Sequence, residues 1–475
     1  MAGTVDDLTL TKSGGTLVEH VMAAIRHRIA SRSLAPGGKL PSIRALAQTM
    51  QVSKSTVVEA YERLAAEGVI RSRPGSGFFS AAALAPLSLA EIAPRLDRAV
   101  DPFWVSRQSL EARREVLKPG CGWLPGAWMP EDEIRRALRG LARTKDPTGL
   151  TDYGTPLGLA PLRAFLSRRL AEQGVEAAPD GILLADSGTQ AIDLVGRLLL
   201  QPGDTVLVDD PCYFNFLALL RAHQVTVVGV PFTPTGPDLS LFEQALAAHK
   251  PRLYITNSGL HNPTGAALSA VTAHRLLKLA EQYGLVVVED DIFADFEHDP
   301  APRLAALDGF ERVVRIGSFS KTLSASFRCG YIAARPDWID KLTDLRIAAG
   351  FSSHRLSEEL VLAVLGSSGY RRHLDALRTR LAKSMASVVP RLQALGVTPW
   401  TEPKAGMFVW CRLPDDLDAA AVARHALNEN VVLAPGNVFS AAQSARSFMR
   451  FNVAQCADER VFRELERAMR LAARG

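Results

Sequence analysis

Residues 312–328 read Arg312-Val313-Val314-Arg315-Ile316-Gly317-Ser318-Phe319-Ser320-Lys321-Thr322-Leu323-Ser324-Ala325-Ser326-Phe327-Arg328. The β-branched run 312–317 predicts a buried strand. A lysine directly after such a strand, between hydroxyls and seven residues before an arginine, is a Schiff-base candidate. Working outward, further strands are predicted at 181–185, 205–209, 252–257 and 285–289, with helical patterns such as 272–283 between them. This alternation implies a largely parallel sheet covered on both faces. Ligands of such sheets bind at the carboxyl ends of the strands.

Polar motifs stand where those strands end. Asp290 closes the strand 285–289, where a carboxylate can pair with a pyridinium nitrogen; Asp291 is adjacent, and residue chemistry alone does not choose between them. Ser187-Gly188-Thr189-Gln190 lies between a strand and a helix, so its amides and hydroxyls can hold a dianionic phosphate at the helix N-terminus. Arg328 adds a charge-assisted contact. Asn262, in Asn262-Pro263-Thr264-Gly265, can donate to a ring oxygen, and Tyr213, in Asp210-Pro211-Cys212-Tyr213, can stack on a ring. An amine, phosphate donors and an acid for the ring nitrogen are what pyridoxal 5'-phosphate needs.

The chain has 475 residues, 47% hydrophobic and 22% charged. Those values fit two or three soluble globular domains and exclude a disordered chain, a coiled coil and a collagen-like fibre. Nine basic and four acidic residues lie between Ser13 and Ser80, a net +5 equal to that of the whole chain. Such a local excess points to a nucleic-acid partner. In the same region Leu17, Val21, Ile25 and Ile29 predict an amphipathic helix. Ser42 is a candidate N-cap for a short second helix, and Ser53 for a third whose apolar face is Val57, Ala60, Tyr61 and Leu64. Gly68 ends it, and Arg73-Pro74-Gly75-Ser76 is the turn of a hairpin. Three helices and a hairpin in this order make a winged helix-turn-helix over residues 13–80. Residues 81–115 read as an Ala- and Pro-rich linker with a helical stretch around 109–116.

The five cysteines, Cys121, Cys212, Cys329, Cys411 and Cys456, form no C-x-x-C pair and are odd in number. Neither a metal site nor a disulfide framework is indicated. Asp6 and Asp7 replace the basic start of a signal peptide, and no apolar run could span a bilayer. The expected location is the cytoplasm, with no membrane partner.

The stretch from Leu40-Pro41-Ser42-Ile43-Arg44 through Ser53-Lys54-Ser55-Thr56-Val57 to Glu67-Gly68 resembles the DNA-binding domain of the GntR family of bacterial repressors. The resemblance implies that Arg44 contacts double-stranded DNA. It also implies that Lys54, Ser55 and Thr56 face the major groove and that the wing tip Pro74-Gly75 enters the minor groove. Lys54 stands where arginine is frequent, and Val58 where some relatives carry a contacting arginine, so a base preference does not transfer.

Residues 118–475 resemble the fold-type I, class I aminotransferases, with five motifs in the family's order. The resemblance makes Lys321 the Schiff-base lysine, Asp290 the ring-nitrogen partner, Asn262 the ring-oxygen donor and Tyr213 the stacking aromatic. Ser187, Gly188, Thr189, Ser318 and Arg328 become the phosphate cup. Tyr153, in Tyr153-Gly154-Thr155-Pro156-Leu157-Gly158, matches a tyrosine that reaches the phosphate of the neighbouring subunit, which implies a homodimer with shared sites. Arg450 matches the arginine that clamps a substrate α-carboxylate. One position departs: Phe293 stands where many relatives have a tyrosine whose hydroxyl contacts the cofactor ring oxygen.

Together the halves resemble the MocR/GabR subfamily of GntR-type transcription regulators. The implied architecture is a small α+β winged helix-turn-helix joined to a large α/β aminotransferase fold over 116–475, ending in a C-terminal α+β subdomain. The implied function is a regulator that reads an operator and senses pyridoxal phosphate, or a small amine or amino acid joined to it. The rival expectation is a working aminotransferase, amino acid to 2-oxo acid, with a DNA-binding appendage. A purely metabolic role leaves Arg44, Lys54 and the wing without use, so the regulator is preferred.

Overall fold

The computed structural model describes residues 16–30, 34, 38–73, 75–80, 102–111, 115–144 and 148–474. Two compact units divide between Leu96 and Asp97.

In the smaller unit α1 (Leu17–Ala30), α2 (Ile43–Met50) and α3 (Lys54–Ala66) precede a hairpin of β1 (Ile70–Arg73) and β2 (Gly77–Ser80). Both expected caps form: Ser42 Oγ accepts from the Ala45 amide and Ser53 Oγ from the Thr56 amide, each satisfying an N–H that the first turn leaves unpaired. Val57, Ala60, Tyr61 and Leu64 of α3 are fully buried against Val21, Ile25 and Leu46. The Tyr61 hydroxyl donates to the Pro41 carbonyl at 2.8 Å, so the third helix holds the start of the second. The hairpin is antiparallel, with Arg73 opposite Gly77; Gly75 takes a φ of 72°, which a glycine adopts without strain.

The larger unit is built on an eight-stranded sheet. Its strands are β3 (Ile182–Ala185), β4 (Thr205–Asp210), β5 (Thr226–Thr233), β6 (Gly236–Pro237), β7 (Leu253–Thr256), β8 (Val286–Asp290), β9 (Val313–Ser318) and β10 (Gly330–Ala333), in the order β3-β10-β9-β8-β7-β4-β5-β6. Neighbours from β9 to β5 are parallel. β10 is antiparallel to both β3 and β9, so β3 runs with the parallel set. The carboxyl ends of β3, β4, β7, β8 and β9 therefore share one edge. Every residue of β3, β7 and β10 is buried, as continuous apolar strands between two helical layers should be. Sequence pattern did not single out β10, whose four residues follow a glycine-poor loop and carry no alternation.

The C-terminal subdomain is an antiparallel sheet of β11 (Thr398–Pro399), β12 (Phe408–Arg412), β13 (Ala434–Pro435) and β14 (Phe448–Asn452), in the order β11-β12-β14-β13. Helices Ser368–Ala394, Ala419–Asn428 and Arg460–Ala472 share its core through Leu392, Val422 and Leu465, with Val409 and Phe451 from the strands.

One expectation is corrected. The helix sought around 109–116 in a linker is Pro102–Glu111, and Val116 lies in a bend. Proline suits only the first helical turn, so Pro102 marks its start. The helix belongs to the larger unit: Val105 is buried with Phe214, Trp410 and Phe439. Among the described residues no helix is long and apolar enough to cross a membrane, and no group of three His, Cys, Asp or Glu could hold a metal ion. All five cysteines are free and buried.

Candidate functional site

A cavity of about 340 Å³ opens at the shared carboxyl edge of the large sheet. Chain direction alone delivers its polar wall. Ser187 follows β3 and caps the helix Gly188–Leu199, its Oγ accepting from the Gln190 amide at 3.0 Å. Ser187, Gly188 and Thr189 thus line the cavity at a helix N-terminus. Tyr213 follows β4, Asn262 follows β7, and Asp290 and Ser318 are the last residues of β8 and β9. Ser318, Lys321 and Arg328 line the same wall. Nine of the residues expected to bind a cofactor therefore meet in one cavity.

Its electrostatics are set by burial. Lys321 Nζ donates to the Gly122 carbonyl at 2.6 Å. Burial, and then the charge of Arg450, bring the lysine down to about 8. Burial pushes the Asp290 carboxyl up to about 7, because desolvation disfavours whichever form carries charge. Burial also raises the Tyr213 hydroxyl. The neighbouring carboxylates are now distinguished. Asp291 is sealed by Arg303 Nε at 2.8 Å and Arg315 Nη2 at 2.5 Å, whereas Asp290 lines the cavity. Asp290 Oδ1 accepts from the Ile292 amide at 3.3 Å.

Arg450 lies just behind this wall, 1% exposed. Its Nη1 donates to Asn262 Oδ1 at 2.8 Å and its Nη2 to the Gly120 carbonyl at 2.7 Å. Its guanidinium carbon lies 4.2 Å from the Phe408 ring centre and 4.8 Å from that of Phe439. Burial lowers this arginine to about 10. Phe293 lines the cavity with its ring centre 6.0 Å from Lys321 Nζ. It meets Phe408 edge-on and offers no hydroxyl. Tyr153 is not brought to the cavity of its own chain: it is 78% exposed and packs on Phe351 at 5.2 Å.

Sequence reasoning missed Gly122, Trp123, Ser320 and Leu110, all of which line the cavity. The available signal was the pair Gly120 and Gly122 before a tryptophan. A Cβ on Gly120 would fall 2.4 Å from the Leu433–Ala434 backbone, so only glycine fits that close approach.

In the smaller unit Arg44, Lys54, Ser55 and Gly75 are exposed. Thr56 is half-buried, its hydroxyl 2.8 Å from Ser53 Oγ. Pro74 lies outside the described residues. Arg26 pairs with Glu67, and Arg63 with Glu59 at 2.6 Å. Arg44, Lys54 and Arg71 have no ion-pair partner among the described residues. The Arg73 guanidinium lies over the Phe79 ring at 4.7 Å, which fixes the base of the wing.

Residues 126–467 match the family Aminotransferase class I and II, and residues 17–79 match the bacterial regulatory proteins of the gntR family. The chain is 30% identical over 442 residues to the HTH-type transcriptional regulator YdcR of Escherichia coli (strain K12), a match covering 90% of this chain and 93% of that one. It is 32% identical over 358 residues to 2-aminoadipate transaminase of Thermus thermophilus, covering 72% of this chain and 88% of that one. Among solved structures, LysN, the alpha-aminoadipate aminotransferase of Thermus thermophilus complexed with N-(5'-phosphopyridoxyl)-L-leucine, aligns with a TM-score of 0.71 at 29% identity. That alignment covers 82% of this chain and all of the other. The chain belongs to the aminotransferase class I and II family and, with a gntR-type winged helix ahead of that fold in its sequence, to the helix-turn-helix regulators of MocR-like architecture.

Proposed function

We propose that this regulator binds double-stranded operator DNA through its winged helix and senses pyridoxal phosphate, or an amino compound joined to it, in the cavity of its larger unit. The carrying observation is the oppositely shifted pair Asp290 and Lys321 in one buried space. Asp290 is buried without an ion-pair partner among the described residues. A protonated pyridine nitrogen supplies the missing counter-charge, so the residues fit this cofactor. Ser187, Gly188, Thr189, Ser318 and Arg328 would hold its phosphate, Asn262 its ring oxygen and Tyr213 its ring face. When bound, pyridoxal phosphate supplies an aldehyde carbon at which one amine replaces another, and an electron-withdrawing ring. An amine brought down to about 8 has a nucleophilic fraction near neutral pH. It can also take up and return a proton. Arg450 is placed to bind a carboxylate that reaches Asn262.

The exposed, unpaired Arg44 in the first turn of α2 and Lys54 at the N-terminus of α3 support phosphate and base-edge contacts. The exposed Tyr153 and Phe351 support a homodimer in which Tyr153 completes the partner's site. Such a regulator acts in the cytoplasm. An active aminotransferase is the second reading, favoured by the juxtaposition of Lys321, Asp290 and Arg450 and opposed by Phe293. Gel shifts with the protein's own upstream DNA test the first reading. A specific complex that weakens steeply with salt is expected, and its absence at every salt concentration overturns the regulator. Turnover of an amino acid with a 2-oxo acid that vanishes in Lys321→Ala would establish the second.

A further inference from the structure

Gly122 stands between the two groups that would receive an amino acid. Its carbonyl accepts from Lys321 Nζ at 2.6 Å. A Cβ built on it would lie 3.9 Å from that nitrogen and 3.9 Å from Arg450 Nη2. An α-amino acid whose amine stands in for the Lys321 amine, with its carboxylate on Arg450, therefore has its Cα beside Gly122. Its side chain then runs along the remaining wall, where the neighbour of Gly122 is Trp123. Phe293 also lines this cavity, its ring centre 6.0 Å from Lys321 Nζ. Leu110 of the helix Pro102–Glu111 lines the cavity while remaining 73% exposed, which puts it at the mouth. The charged side chains lining the cavity, among the described residues, are Asp290, Lys321 and Arg328; the proposed cofactor engages all three.

We infer that the ligand sensed here is an α-amino acid with an uncharged, apolar side chain, read by Leu110, Trp123 and Phe293. The inference rests on the cavity being the pyridoxal phosphate site. Its physical basis is selective desolvation: an aliphatic or aromatic side chain gains by leaving water against these three residues. A carboxylate or ammonium there would lose hydration without gaining a partner.

The test uses the full chain loaded with pyridoxal phosphate and titrated with L-leucine, L-phenylalanine, L-glutamate and L-lysine. Cofactor absorbance and calorimetric heat are followed together. Half-saturation by the apolar pair at a concentration at least about tenfold below that for the charged pair is expected. Leu110→Arg, a change at an exposed helical position, should weaken L-leucine and L-phenylalanine by about tenfold and tighten L-glutamate. Glutamate or lysine binding as tightly as leucine overturns the inference, as does an unchanged preference in Leu110→Arg. Normal cofactor uptake with no response to any of the four overturns the inference and leaves the cofactor site standing. Failure to take up pyridoxal phosphate at all overturns the site itself.

Discussion

Asp290 and Asp291 are consecutive, yet their carboxyl groups have opposite surroundings. Asp291 lies between Arg303 Nε at 2.8 Å and Arg315 Nη2 at 2.5 Å, and Asp290 lines the cavity with a carboxyl pushed up to about 7. The two asparagine variants should therefore fail differently. Asp291→Asn leaves two buried guanidinium groups short of a carboxylate and should cost about 3–5 kcal/mol of stability, as breaking a buried pair does. Asp290→Asn should keep the fold and lose cofactor affinity. Urea unfolding of both variants, beside pyridoxal phosphate titrations, checks the contrast; equal stability losses would contradict it.

Without cofactor, the Asp290 carboxyl titrates near 7 in the folded chain and near 3.8 when unfolded. The folded state then binds the extra proton between these values, so this contribution to stability is present below about 4 and is lost as pH rises through 7. Lys321 acts in the other direction, its contribution being present above 10.5 and lost as pH falls through about 8. Near pH 7–8 the cofactor-free protein bears both costs. Asp290→Asn should then be the more stable protein there, by on the order of a few kcal/mol, and the difference should shrink toward pH 4. Thermal melts of both cofactor-free proteins across pH 4–8 measure it.

Phe293 gives the cofactor ring oxygen no donor. Hydrogen bonding to a charged form stabilises it, so Phe293→Tyr should move the pH midpoint of the holo-protein's cofactor absorbance downward. An unchanged midpoint would mean that another donor, such as Asn262, already serves that oxygen.

In the DNA-facing unit the useful comparison is between paired and unpaired bases. Arg44→Ala or Lys54→Ala should each lower the slope of log affinity against log salt by about 1 if it neutralises one phosphate. Arg26→Ala should leave the slope unchanged, because Arg26 is already paired with Glu67. Fluorescence anisotropy over a salt series gives the three slopes.

The strands that carry the site were legible because burial on both faces favours runs of apolar and β-branched residues; Ile182–Ala185 is wholly apolar, and in Val313–Ser318 Val313, Val314 and Ile316 carry the signal around the buried Arg315. The caps Ser42 and Ser53 were legible because a helix start needs a local side-chain acceptor. What escaped depends on partners distant in sequence or on the backbone. Lys321 is held by the carbonyl of Gly122, 199 residues away, and any residue has a carbonyl. The choice between Asp290 and Asp291 is made by Arg315, brought alongside by the β8–β9 pairing, and by Arg303, which stands just before the helix Leu304–Asp308 between those strands. Leu110 falls within the helical stretch expected around 109–116, but the start of that helix at Pro102 and its packing through Val105 depend on Phe214, Trp410 and Phe439, all more than a hundred residues away.

Arg450 is fixed before any ligand arrives: Asn262 and Gly120 hold two of its nitrogens, and Phe408 and Phe439 flank its guanidinium. The entropy of ordering that side chain is spent once, when the chain folds, and not at each binding event. In the proposed sensor, the effector concentration at half response is then a property of the packed core as much as of the ligand. Substitutions at Phe408 or Phe439 would retune that threshold while leaving intact the pocket residues that choose the ligand.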